Sequence, residues 1–249
     1  MKRIIAAIAL VFSTTASAET AEEIMEKARA ARQVENSIQT VKMVIVSKSG
    51  SERVREIELK MKKEGDVRKS LAKFTSPSDV AGTQLLLIDH PDTVDEQLLY
   101  MPAIKRTNRI SGKARKGSFM GSDFAYEDME MSDPPDATHK VASEAGETWV
   151  IDTTPGEDSS YSRIVTHVTK ADFVPRKIEF FDDDGDALKV LTVAKTELDG
   201  ELTIAVESTM QNLQKGTATK LIVLEHKLNV SAEELPDDVF TKAHMEKGG

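Results

Sequence analysis

The sequence predicts a mainly β, α+β fold: one broad, curved antiparallel sheet covered by a few helices. Three observations predict it. Apolar and charged side chains alternate with a period of two along most of the chain. Glycine-containing turn motifs separate the alternating runs as hairpin turns do. Helical periodicity is confined to two short stretches.

In chain order, residues 1–18 read as a cleavable secretory signal. Lys2 and Arg3 form a positive start, Ile4 to Phe12 an apolar run, and Ala16-Ser17-Ala18 a small-residue cleavage pattern that leaves Glu19 opening the mature chain. The apolar run is shorter than the about 20 residues a spanning helix needs, and no later stretch is apolar enough to span. The chain has no cysteine, so neither a lipid anchor at the cleavage site nor a disulfide is expected. Removing 18 of 249 residues leaves 231, read as a single domain over 19–249. The formal net charge of −9 becomes −11 once Lys2 and Arg3 are lost. Export and that balance argue against nucleic-acid binding and fit a soluble, freely diffusing periplasmic monomer.

The mature chain is expected to open with a helix. Thr20 and Glu23 form a capping box, Ile24, Ala28 and Ala31 follow at helical spacing, and the helix is expected to end near Asn36. Strands follow. Val41, Met43 and Ile45 alternate, and in Arg55 to Lys63 Ile57, Leu59 and Met61 point one way while Glu56, Glu58, Lys60 and Lys62 point the other. Late in the chain Leu202, Ile204 and Val206 alternate with Glu201, Thr203 and Glu207, and Ile222, Leu224 and Leu228 close the series. Lys48-Ser49-Gly50, Glu64-Gly65-Asp66, Asp184-Gly185 and Asp199-Gly200 mark hairpin turns. Asp133-Pro134-Pro135-Asp136 reads as a loop, and a second short helix is expected around Ala232 to Phe240. A one-sided sheet of this size with two helices gives either an apolar cavity or a packed β-sandwich, and the pattern alone favours neither.

The most distinctive stretch is Leu99 to Met129. It carries six basic residues in twelve positions (Lys105, Arg106, Arg109, Lys113, Arg115 and Lys116), then a loop of small and aromatic residues. The basic run is either a solvated strand and loop or a contact for anionic headgroups or an acidic partner surface. Arg106 and Arg109 lie three apart, so on a strand they face opposite sides and one is expected to point inward, where it would pair with Asp123 or a ligand.

The segment resembles the LolA/LolB-like outer-membrane lipoprotein-sorting family. The likeness rests on Tyr100, Pro102, Arg106, Arg109 and Ile110, then Phe119, Gly121, Ser122, Asp123, Phe124, Tyr126 and Asp128. Leu235-Pro236-Asp237-Asp238-Val239-Phe240-Thr241 resembles the end of that family. The resemblance implies a half-open β-barrel around an apolar cavity that holds lipoprotein acyl chains in transit between inner and outer membrane. It thereby favours the cavity over the packed sandwich. Because the lipid-anchored member needs a Cys, this chain resembles the soluble carrier. Members of this branch are often encoded beside RND-type inner-membrane transporters, which implies such a transporter as a loading partner and an outer-membrane acceptor. On this basis the candidate ligand-binding residues are Tyr100, Arg106, Arg109, Phe119, Met120, Phe124 and Tyr126. The alternative is an accessory protein that docks on the transporter and carries no lipid.

Catalysis is not expected. Met120-Gly121-Ser122-Asp123-Phe124 lacks the nucleophile-elbow spacing and reads as an ordered loop, with Ser122 or Asp123 capping backbone groups and Phe119 and Phe124 buried. Asp182 to Asp186 fails the calcium-loop test, because Phe180 and Leu191 fall where acidic ligands belong; a hairpin turn explains it. The five histidines form no paired spacing for a metal, and no cofactor is implied.

Overall fold

The computed structural model describes residues 19–31, 34, 36–90, 95–130, 136–200 and 202–248. The secretory signal and the Asp133-Pro134-Pro135 break lie outside the described residues. Thirteen strands form one antiparallel sheet that does not close into a barrel. They are β1 (Asn36–Val46), β2 (Glu52–Glu64), β3 (Val67–Ser76), β4 (Gln84–Asp89), β5 (Glu96–Met101), β6 (Arg106–Arg109), β7 (Thr138–Ala145), β8 (Thr148–Thr154), β9 (Arg163–Thr169), β10 (Pro175–Phe181), β11 (Ala187–Asp199), β12 (Leu202–Asn212) and β13 (Thr217–Leu228). Their order is β6-β5-β4-β3-β2-β1-β13-β12-β11-β10-β9-β8-β7. Two meanders therefore meet where β1 pairs β13, and the two free edges, β6 and β7, are consecutive in sequence.

The pairing register keeps one face continuous. Ile151, Thr166, Ile178, Leu191, Met210, Thr219, Ile45 and Arg53 stand opposite one another in turn across eight strands. Leu59, Ala72, Leu85 and Leu99 continue the face toward β6. This inner face holds the largest core cluster, including Met43, Ile57, Phe74, Leu85 and Phe180. The four expected hairpin turns are all present between consecutive strands. Four residues beyond β10, Gly185 takes φ +82, a left-handed conformation that glycine adopts without steric cost.

Three expectations change. The first helix, α1 (Ala21–Ala31), has its capping box, with Thr20 N–H donating to Glu23 at 2.8 Å and Glu23 N–H to Thr20 Oγ1 at 3.2 Å. It does not reach Asn36, because from Asn36 the backbone is paired by β2 on one side and approaches β13 on the other. Its apolar side buries Ile24 and Ala28 completely against Ile151 and Val168 of the inner face. The second helix is also displaced. Pro236 has no N–H and breaks the expected Ala232 to Phe240 helix, leaving a 3-10 turn at Asp237–Phe240 and α2 (Lys242–Glu246), capped by Thr241. Finally, β3 to β5 are buried on both faces. The C-terminal segment returns across the outer face, where Val239, Phe240 and Met245 cover Leu71, Leu86 and Tyr100.

Candidate functional site

The connection from β6 to β7 joins the two free edges of the sheet, and its described residues 111–130 lie over the inner face. Residues 111–130 make this crossing as three one-turn 3-10 helices, Gly112–Lys116, Phe119–Gly121 and Glu127–Met129. They carry the aromatic motif inward. Phe119, Phe124 and Tyr126 are buried in the inner-face core. The Phe119 ring lies 5.8 Å from Phe74 and 5.7 Å from Tyr126, edge-on to the latter.

Polar bonds fix the crossing at many strands. On β13, Thr217 and Thr219 donate through Oγ1 to the Asp123 carboxylate, and Asp123 N–H donates back to Thr219. On β11, Lys189 donates to Asp128 at 2.5 Å, with both side chains only 4% exposed. Tyr161 donates its hydroxyl to the same carboxylate at 2.7 Å. Burial first, then the Asp128 charge, pushes the Tyr161 hydroxyl well above its usual titration range, so it stays a donor. The Lys189 ammonium also sits over the Tyr161 and Phe180 rings, at 4.9 and 5.0 Å. On β2, Arg55 donates to the Met120 carbonyl and Arg53 to the Gly121 carbonyl. Burial, then its neighbour Arg53, lowers the Arg55 pKa. On β5, Gln97 donates to Glu130, which also takes Arg115 in an ion pair.

The serine-containing loop is ordered by its own bonds. Ser122 Oγ donates to the Phe119 carbonyl and accepts from Phe124 N–H. The Asp182 carboxylate likewise accepts from the backbone of Asp184 and Asp186 within its turn.

The seven candidate residues are thus separated by the fold. Phe119, Met120, Phe124 and Tyr126 meet on the inner face, with Met120 half-buried and in the left-handed region at φ 50. Tyr100 belongs to the cluster on the opposite face. Arg106 and Arg109 are both exposed, and neither reaches Asp123. The reason is that β6 is an edge strand, and both of its arginines stay exposed there. The inward arginine is Arg55 instead, 8% exposed. Its parity with Ile57 and Leu59 was its signal in the sequence. Lys189 has the same signal, sharing a face with Leu191.

Packed against this core is a band of half-buried apolar side chains: Leu59, Ile164, Ile178, Leu191, Leu221 and Val223. They lie on five strands of the inner face, β2, β9, β10, β11 and β13. Among the described residues, no helix is long and apolar enough to cross a membrane.

An open antiparallel sheet whose inner face is bridged by a crossing segment and flanked by a helix defines the LolA-like class of binding folds. A family model described only as an uncharacterized protein matches residues 66–247. A protein domain from Vibrio parahaemolyticus assigned to outer membrane lipoprotein sorting is 31% identical, with a TM-score of 0.80 over 90% of this chain and 97% of that one. The chain belongs to this LolA-like, outer-membrane lipoprotein-sorting family. Two more distant structures share the fold. A DUF1329 family protein from Desulfovibrio piger ATCC 29098 has 22% identity and a TM-score of 0.80, over 89% of this chain and 96% of that one. A LolA superfamily protein from Nitrosomonas europaea has 20% identity and a TM-score of 0.71, over 91% and 100%. No curated protein matches the chain.

One prediction follows from the Asp128–Lys189 anchor of the crossing, and another from Asp95, which precedes β5 and accepts from His90 N–H at 3.3 Å. Asp128→Asn strands a buried ammonium and should cost about 3–5 kcal/mol in urea denaturation, whereas adding Lys189→Met should recover most of the loss; a single-variant cost under about 1 kcal/mol would contradict the buried-pair account. The second concerns Asp95. Burial, and then the neighbouring Asp89 charge, raise its pKa to about 6. Its folded pKa lies above its unfolded one, so its contribution is present at low pH and is lost as pH rises toward and through 6. Asp95→Asn should therefore raise the melting temperature at pH 7.5 and flatten the decline between pH 4 and 6.5; an unchanged pH profile would count against this assignment.

Proposed function

We propose that the protein is a non-catalytic periplasmic carrier. It holds a lipid, or the acyl chains of a lipoprotein, against the inner face and shuttles it between inner and outer membrane. The observation that carries this reading is the apolar band on the inner face, whose side chains stay only half-buried. Apolar side chains left half-buried on the inside of an open sheet offer an alkyl chain a place out of water. The gain is about 0.8 kcal/mol for each methylene transferred. Family membership supports the same reading, since the 31% identical domain is assigned to lipoprotein sorting. An RND-type inner-membrane transporter as donor and an outer-membrane acceptor are the partners this role calls for. The alternative, an accessory that docks on such a transporter without lipid, leaves the half-buried inner face without a role.

The test is binding of a fluorescent acyl probe, alongside mass spectrometry of lipid extracted from protein purified from its native host. Co-purifying lipid is expected. Combining Leu221→Gln with Val223→Thr should weaken probe affinity about tenfold, since polar groups then line the alkyl site without partners, while far-UV circular dichroism stays unchanged. No extracted lipid together with no probe binding by the native sequence would overturn the carrier reading.

A further inference from the structure

We propose that the tip Pro102–Lys105 and the edge strand behind it form a docking surface for an anionic phospholipid bilayer. Pro102–Ile104 is a single 3-10 turn between β5 and β6, closed by Lys105 in the left-handed region at φ 48, with its N–H bonded to the Pro102 carbonyl. This tight turn holds Ile104 outward at 60% exposure, beside exposed Ala103. A large aliphatic side chain displayed on a rigid turn costs free energy in water and regains it in an apolar boundary.

The charges around it fit the same boundary. The side chains of Lys105, Arg106, Arg109 and Lys113 are exposed, and none makes a side-chain hydrogen bond or ion pair with a described residue. The other two cations of the run are spent on the protein itself, Arg115 on Glu130 and Lys116 on the Ser159 carbonyl. The carboxylate bonded to β6 is Glu246, which accepts from Thr107 at 2.8 Å. Four free cations within nine positions reverse the sign of a chain whose net charge is −9. They flank a free sheet edge. Long cationic side chains around one projecting aliphatic residue suit a fluid, negatively charged interface. The isoleucine enters the headgroup boundary, and the ammonium and guanidinium groups meet phosphates. The proposal does not rest on the acyl-carrier reading.

The test is flotation of the full mature chain with phosphatidylcholine vesicles, with and without phosphatidylglycerol, at low and high salt. Binding to the anionic vesicles is expected, weakened by salt, with none to the neutral ones. Each surface cation adds about fivefold to such binding, so the combined Lys105→Glu, Arg106→Glu, Arg109→Glu and Lys113→Glu variant should lose about a hundredfold or more. Ile104→Asp should lose about tenfold through the apolar contribution alone. Both variants should keep the native melting temperature and acyl-probe affinity, so failure here is distinguishable from failure of the carrier reading. Equal binding to neutral vesicles, variants that float like the native chain, or capture of the four cations by an acidic protein with no vesicle binding would each overturn the proposal.

Discussion

The chain leaves the sheet at one free edge and must re-enter it at the other, and this requirement shapes the rest of the molecule. The described residues 111–130 cross the open inner face between the two edges that bound the sheet. The crossing fills part of that face with Phe119, Phe124 and Tyr126. It is held in register by polar groups, since aromatic packing alone is tolerant of small shifts. The Lys189–Asp128 pair lies at the centre of that network, and Tyr161 satisfies a further lone pair of the carboxylate. A buried pair contributes little net stability when intact, but misplacing either partner strands a charge. That asymmetry specifies one position for the crossing.

The inner face thereby divides into two zones. Under the crossing, the core is closed and the motif aromatics are structural. Beyond it, the apolar band from Leu59 to Leu191 stays half-buried, with α1 packed on Ile151 and Val168 at the β8 and β9 side. On the carrier reading, the motif that resembles the lipoprotein-sorting family would build the wall of the site more than its contact surface. An acyl chain would lie against residues of β2, β9, β10, β11 and β13, which no compact motif marks.

Much of the sheet was legible because its inner face obeys a strict period of two. Val41, Met43, Ile45, Ile57 and Leu59 all fall where alternation places them. The turns were legible for the same local reason. What alternation cannot express is pairing between distant strands. The β1–β13 junction and the edge-to-edge crossing depend on contacts far apart in sequence. Double-sided burial of β3 to β5 escaped for that reason too, since it is created by a C-terminal segment that arrives last. The basic cluster at Arg106 and Arg109 does not mark the inward arginine, because both lie on an edge strand; the parity of Arg55 with Ile57 does. Asp123 and Asp128 were visible as motif residues, but their partners Thr217, Thr219 and Lys189 are each more than sixty positions away.

The central claim is that alkyl chains occupy the half-buried band of the inner face. Paramagnetic broadening of methyl NMR signals by a spin-labelled fatty acid tests it most directly. The account predicts broadening of the Leu59, Ile178, Leu191, Leu221 and Val223 methyls, with Leu71 and Leu86 on the outer face unaffected. Broadening confined to the outer face, or to the exposed hairpin residue Leu198, would contradict it.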